Sequence, residues 1–180
     1  MVRATEAISL LEWPDTLPGL EPWPAKYDSG LLGKPPTDIV LHCGDTAGDI
    51  GRYCENPDKF AEVDPKTGKV RVRKVSYQIY LDRVRQKRFL LVSLRRRASH
   101  ASKWGNDAIG IVLRGPARLK PRLDWEREAL RATVIDLKAA IPTVEWWRRH
   151  SDDKRARKQD PGPGVLDAWL SDLLQRRVSQ

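Results

Sequence analysis

The chain has 180 residues, 40% hydrophobic and 32% charged, with 13 Pro and 12 Gly, which excludes a collagenous or wholly disordered protein and predicts one soluble domain whose core needs no disulfide staples. Its two cysteines, Cys43 and Cys54, are too few for a disulfide framework and leave the redox compartment open. The net charge of +9 is local: ten Lys or Arg lie between Arg71 and His100 against Asp82 alone, and the rest of the chain is balanced, so this segment is expected to attract polyanions.

Residues 1–37 place Pro14, Pro18, Pro22, Pro24, Pro35 and Pro36 among Trp13, Trp23, Leu31 and Leu32. That composition resists regular structure and predicts an N-terminal arm packed by its aromatic residues onto a domain at 38–180. The first residues do not read as a cleavable signal, and no apolar run approaches the roughly 20 residues of a membrane span. Asp38 to His42 reads as a short buried strand stopped by Gly44, delivering His42 at its C-terminal end. A short helix is expected over 45–54 and a turn over 64–68.

Val75 to Leu81 alternates, with Val75, Tyr77, Ile79 and Leu81 predicted on one face; Phe89–Leu94 and Ala108–Leu113 are further strands. After Asp124, read as an N-cap, Leu130, Val134, Leu137 and Ile141 recur at helical spacing until Pro142. Val165 or Leu166, Trp169, Leu170, Leu173 and Leu174 repeat that spacing and predict a C-terminal helix. The expected fold class is α/β, a central mixed sheet flanked by helices in a single domain.

The chain has three histidines, His42, His100 and His150. Asp160 lies ten positions after His150 and opens Pro161-Gly162-Pro163, a turn stiff enough to fix the direction of a carboxylate. A strand-end histidine, a loop histidine and a loop carboxylate are the three protein ligands of an open catalytic zinc site. The same spacing is also that of an exposed histidine in a solvated basic loop.

Four segments, in order, carry a family resemblance: Ile39-Val40-Leu41-His42-Cys43; Val75-Ser76-Tyr77-Gln78; Ser99-His100-Ala101 through Asn106 to Ile109-Gly110-Ile111; and His150-Ser151-Asp152 through Lys158 to Asp160-Pro161-Gly162-Pro163. Over about residues 38–170 the chain resembles the zinc-dependent N-acetylmuramoyl-L-alanine amidases of the peptidoglycan-recognition type, which include phage endolysins and cytoplasmic muropeptide amidases. The resemblance implies that His42, His150 and Asp160 bind Zn2+, that Lys158 is catalytic, and that Tyr77 stands beside the metal. His100 is implied to lie near the cleft without being a ligand.

Two positions depart from the pattern: Val112 stands where many members carry a glutamate base, and Gln78 where a histidine is common. The implied activity is hydrolysis of the bond between N-acetylmuramic acid and L-alanine. A non-catalytic peptidoglycan-recognition module and a cytoplasmic muropeptide-recycling amidase are the alternatives. The expected partners are peptidoglycan or muropeptide and, through Arg71–Arg97, an anionic envelope surface. Nucleic acid is not expected, because no binding signature accompanies the basic cluster. A monomer without a signal peptide is expected, made in the host cytoplasm and acting on the cell wall if it is an endolysin.

Overall fold

The computed structural model describes residues 13–22, 31–44, 62–63, 66–68, 70–71, 77–98, 108–115, 122–152 and 160–178. Nine strands and one α-helix occur among them: β1 (Glu21–Pro22), β2 (Asp38–Cys43), β3 (Glu62–Val63), β4 (Val70–Arg71), β5 (Ile79–Asp82), β6 (Lys87–Leu90), β7 (Ala108–Leu113), α1 (Asp124–Ala140), β8 (Trp146–Arg149) and β9 (Gln175–Arg176). Seven strands form one sheet in the order β1-β6-β5-β7-β2-β8-β9, and β3 and β4 pair separately around a turn in which Gly68 has φ 63°. β5, β7, β2, β8 and β9 run parallel, whereas β6 returns antiparallel to β5. The expected mixed sheet and single domain are what the structure shows.

β2 and β7 lie at the centre, and all twelve of their residues are buried. A parallel strand covered on both faces must be apolar throughout, and the runs Ile39-Val40-Leu41 and Ile109-Gly110-Ile111-Val112-Leu113 meet that requirement. Alternation divides them. Ile39, Leu41, Ile109, Ile111 and Leu113 join Ile79, Leu81 and Trp147 in a core against Leu130, Val134 and Leu137 of α1. Each of these α1 side chains is fully buried and contributes about 1.5–3 kcal/mol. On the opposite face Val112 packs with Tyr80, Phe89, Leu91 and Tyr77. The site-bearing side chains lie on this second face.

α1 begins one residue away from the expected cap. Leu123 is the N-cap, and Glu126 closes the first turn by accepting the Leu123 N–H at 2.8 Å while its own N–H donates to Leu123 O. Glu126 is fully buried, so its charge is matched there by Arg122 at 2.8 Å.

The arm reaches the core in its described parts. Trp13, Leu17, Leu20 and Leu32 are buried with the sheet, Trp13 Nε1 donates to Leu94 O, and β1 extends the sheet beside β6. Arg88 ties arm, hairpin and helix together by donating to Pro18 O, Thr133 and Asp136. A Cβ at Gly19 (φ 72°) would come within 2.6 Å of the Arg88 guanidinium. Glycine there therefore serves both the backbone conformation and the close approach.

Three sequence expectations are corrected. The second hairpin strand spans Lys87–Leu90, since the chain turns away after Leu91 and Leu94 N–H donates to Asp15 O of the arm. Tyr77 and Ile79 do not share a face: the strand starts only at Ile79, and Tyr77 packs with the second cluster while Ile79 enters the α1-side core. Gln78 causes the break. Its fully buried amide accepts from Gly110 N and donates to Arg96 O and Ala108 O, bridging β7 to the turn after β6.

The third is the C-terminal helix, which is a single 3-10 turn, Asp167–Trp169, followed by β9. Carbonyls a helix would use are taken by other partners: Val165 O by Arg149, Trp169 O by Arg131 and Leu173 O by Lys138. The open edge of β8 then captures Gln175 and Arg177 through Glu145 O and Trp147 O. Tertiary hydrogen bonding overrides the local periodicity.

At the C-terminal end of β5, Asp82 is fully buried and accepts from Arg114, Arg85 and the Val84 N–H. Burial raises its pKa, but these donors outweigh it and hold the carboxyl below its ordinary 3.8. A depressed folded pKa contributes stability above the unfolded value that is lost as pH falls through the folded one. Asp82→Asn should therefore destabilise the protein by about 2 kcal/mol at neutral pH. In urea unfolding the gap from wild type should shrink as pH drops below 3.8; a gap independent of pH would contradict it.

Candidate metal centre

His42 is the fifth residue of β2, and His150 follows β8, its parallel neighbour. In open α/β sheets the carboxyl ends of the strands form the binding crevice, and both imidazoles stand at such ends. The alternation of β2 sends His42 to the face of Val112, its direct register partner on β7, while Cys43 enters the α1-side core. Continued along β8, the alternation that buries Trp147 against α1 sends His150 to His42's side. The two rings have their centroids 4.7 Å apart, and the Tyr77 ring lies 4.8 Å from that of His42.

Asp160 completes the cluster. Its Oδ1 accepts the backbone N–H of Cys43, so its direction is fixed by β2 itself. Its Oδ2 lies 3.3 Å from His42 Nδ1 and 3.4 Å from His150 Nδ1. Its main-chain carbonyl accepts the Ser151 N–H at 2.8 Å, which ties it to the turn carrying His150. The Cys43 thiol seals the base, with Sγ 3.0 Å from Pro161 O and 2.6 Å from an Arg122 nitrogen. Burial pushes this thiol up to about 12 despite Arg122, so it stays protonated.

His42, His150 and Asp160 offer ligand atoms all within 4.8 Å of one another, the arrangement that can hold a metal ion. Three observations fit a cation. Burial lowers the pKa of His42, against the pull of Asp160, and favours the neutral imidazole that a metal requires. Burial raises the pKa of Asp160, but the imidazoles and the Cys43 amide outweigh it and keep the carboxylate charged. His150 Nδ1 is buried with no hydrogen-bond partner although it faces Asp160. His150 is also the open side of the cluster, its side chain 25% exposed against 1% for His42 and 7% for Asp160.

Tyr77 is thus brought beside His42. Val112 is fully buried next to His42 and presents only methyl groups. Gln78, on the neighbouring position, is committed to backbone contacts. Lys158, His100 and the helix expected over 45–54 lie outside the described residues. Sequence reasoning missed Arg149, Asp152 and the Cys43 amide, which hold the cluster from behind. A carboxylate three residues after Arg149, able to reach back to its N–H across the intervening turn, was the available signal.

The basic cluster is less bare than its sequence implies. Arg83, Arg85, Lys87 and Arg88 pair with Glu126, Asp82, Glu21 and Asp136. No helix among the described residues is long and apolar enough to cross a membrane.

Known proteins share this arrangement of elements. A selenomethionine AmpD derivative superposes with a TM-score of 0.70 at 20% identity, covering 89% of this chain and 97% of that one. The endolysin amidase LysCS from Clostridium intestinale has a TM-score of 0.65 at 17% identity, covering 88% and 97%. A Drosophila PGRP-LB mutant in complex with tracheal cytotoxin has a TM-score of 0.62 at 14% identity, covering 89% and 98%. No curated protein matches the chain. At these identities the structures establish the fold. The sequence itself matches the family described as N-acetylmuramoyl-L-alanine amidase over residues 32–163, most of its length, and the chain belongs to that family.

Proposed function

We propose that this amidase hydrolyses the amide between N-acetylmuramic acid and L-alanine in peptidoglycan, with His42, His150 and Asp160 as the ligands of one zinc ion. The convergence of these three side chains at strand ends, with His150 facing outward, carries the reading. A zinc ion bound there supplies Lewis acidity that brings the pKa of a coordinated water toward about 7. The chain's own groups do the rest. Asp160, anchored by the Cys43 N–H, turns its second oxygen to both imidazoles. Tyr77, beside His42, orients water and the scissile carbonyl, and Lys158 provides positive charge where the oxyanion develops. Hydrolysis leaves the lactyl carboxylate and the free amino group of L-alanine.

The apolar Val112 wall next to His42 favours one other reading, a module that binds muropeptide without cutting it. Digestion of purified cell walls with and without a chelator separates the two. New amino termini that vanish on chelation support the amidase, and wall binding without them supports the module. A cytoplasmic role in recycling muropeptides is separated from wall lysis by comparing intact sacculi with soluble muropeptides as substrates.

The segment Arg95-Arg96-Arg97 is proposed to hold the enzyme to an anionic envelope surface. Replacing all three with Gln should weaken wall binding several-fold at low salt, and much less at physiological ionic strength, where screening acts beyond roughly 8 Å. Pull-down on purified walls across a salt series checks this; binding unchanged at low salt refutes it.

A further inference from the structure

Behind the metal centre, Arg149 sits one residue before His150 and points to the opposite side, its guanidinium carbon 5.9 Å from the Trp147 ring. It donates to Gly162 O at 3.0 Å, Val165 O at 2.5 Å and Asp167 Oδ1 at 2.6 Å. Its backbone N–H donates to Asp152 Oδ2 at 2.9 Å, fixing the 3-10 turn His150–Asp152. Arg176 of β9 bridges the same two carboxylates, donating to Asp152 Oδ1 at 2.9 Å and to Asp167 Oδ2. The four residues, linked through the Arg149 backbone N–H as well as its guanidinium, form a ring joining two pieces of backbone. One begins with His150; the other runs from two to seven residues past Asp160.

We infer that Arg149, supported by Asp152, Asp167 and Arg176, is the positioning residue of the metal centre: it sets the separation of His150 from Asp160 without contacting a ligand side chain. The inference rests on the proposed metal site. Its chemistry requires a guanidinium. Two carbonyls and a carboxylate, five residues apart at their extremes, are spanned by one planar fork lying beside the Trp147 ring, whereas an ammonium offers its donors from a single point and lacks the reach of that fork. The Arg149 Nε is buried without a partner, so the bonds from the terminal nitrogens are the return on burying this charge. The carboxyl of Asp167, which burial alone would raise, is held below its ordinary range by Arg149 and Arg176, as expected of a closed ring.

The experiment measures zinc affinity by competition with a chromophoric chelator, and the visible spectrum of the cobalt-substituted protein, for wild type, Arg149→Lys, Arg149→Met and Asp167→Asn. Outer contacts of this kind are worth about 10- to 100-fold in metal affinity. Both Arg149 variants should fall in that range, with altered cobalt bands, and on peptidoglycan kcat should drop while KM holds. Asp167→Asn should show a smaller loss, since Arg149 keeps its two carbonyls. If Arg149→Met does not fold, Arg149→Lys and Asp167→Asn decide. Unaltered zinc affinity and cobalt spectrum in the folded variants overturn the inference, even if their metal-free proteins melt earlier. A wild-type protein that binds no zinc instead overturns the proposed metal site itself.

Discussion

A His42→Ala/Asp160→Ala protein should purify without zinc and release no amino termini from peptidoglycan. His42 is almost wholly buried at the end of the central strand, and Asp160 is the carboxylate on which both imidazoles converge. Removing both leaves His150 as the single protein ligand, and one imidazole does not retain a zinc ion that needs three. The single His150→Ala protein should likewise show no turnover. Metal analysis of the purified variants, paired with an amine-release assay on the same samples, reads both effects. Full zinc occupancy in the double variant would refute the ligand assignment. Because His42 lies within β2 and the Asp160 carboxylate accepts a backbone N–H of that strand, circular dichroism should accompany the assay to show that the sheet persists.

Lys158→Ala should lose about 100- to 1,000-fold in turnover while retaining zinc and the fold, the scale seen when one oxyanion donor is removed. The reasoning starts from Val112. With a hydrocarbon wall beside His42 and Gln78 locked onto Gly110, Arg96 and Ala108, neither position supplies a base or a charge to the reacting amide. The proposed mechanism assigns water orientation to Tyr77 and charge stabilisation to Lys158. Tyr77→Phe should therefore cost a similar or smaller factor. Steady-state turnover on purified walls, with zinc content measured in parallel, distinguishes a catalytic loss from a metal loss. Near-normal turnover in Lys158→Ala would overturn the assigned mechanism. A zinc-loaded wild type inert on every wall preparation would favour the recognition module.

The sequence by itself determined the inner strands β2 and β7 and the helix α1, and it nominated three members of the candidate site; it carried no strand signal for β1, β8 or β9. Asp38–Cys43 and Ala108–Leu113 are legible because strands buried on both faces must be apolar at every position, which a single sequence displays directly. The α1 stripe Leu130, Val134, Leu137 is legible because its period matches the face it buries. The few histidines and the Pro161 turn made His42, His150 and Asp160 candidates, and the family resemblance of their segments implied them as the ligand set.

Tertiary structure decided what depends on partners far along the chain. The C-terminal stretch has helical periodicity, yet Arg149, Arg131 and Lys138 occupy its carbonyls and the edge of β8 takes its backbone. Tyr77 leaves the face that alternation assigned to it because the Gln78 amide interrupts the strand. The basic segment's charge is partly neutralised by Glu21, Glu126 and Asp136, residues up to 66 positions away. Asp160 meets His42 across 118 positions because β2 and β8 are parallel neighbours and because the Cys43 N–H fixes the carboxylate there. Periodicity reports the surroundings of a local segment; hydrogen-bond and charge partners are set by the crossing of distant segments, and only the fold brings those together.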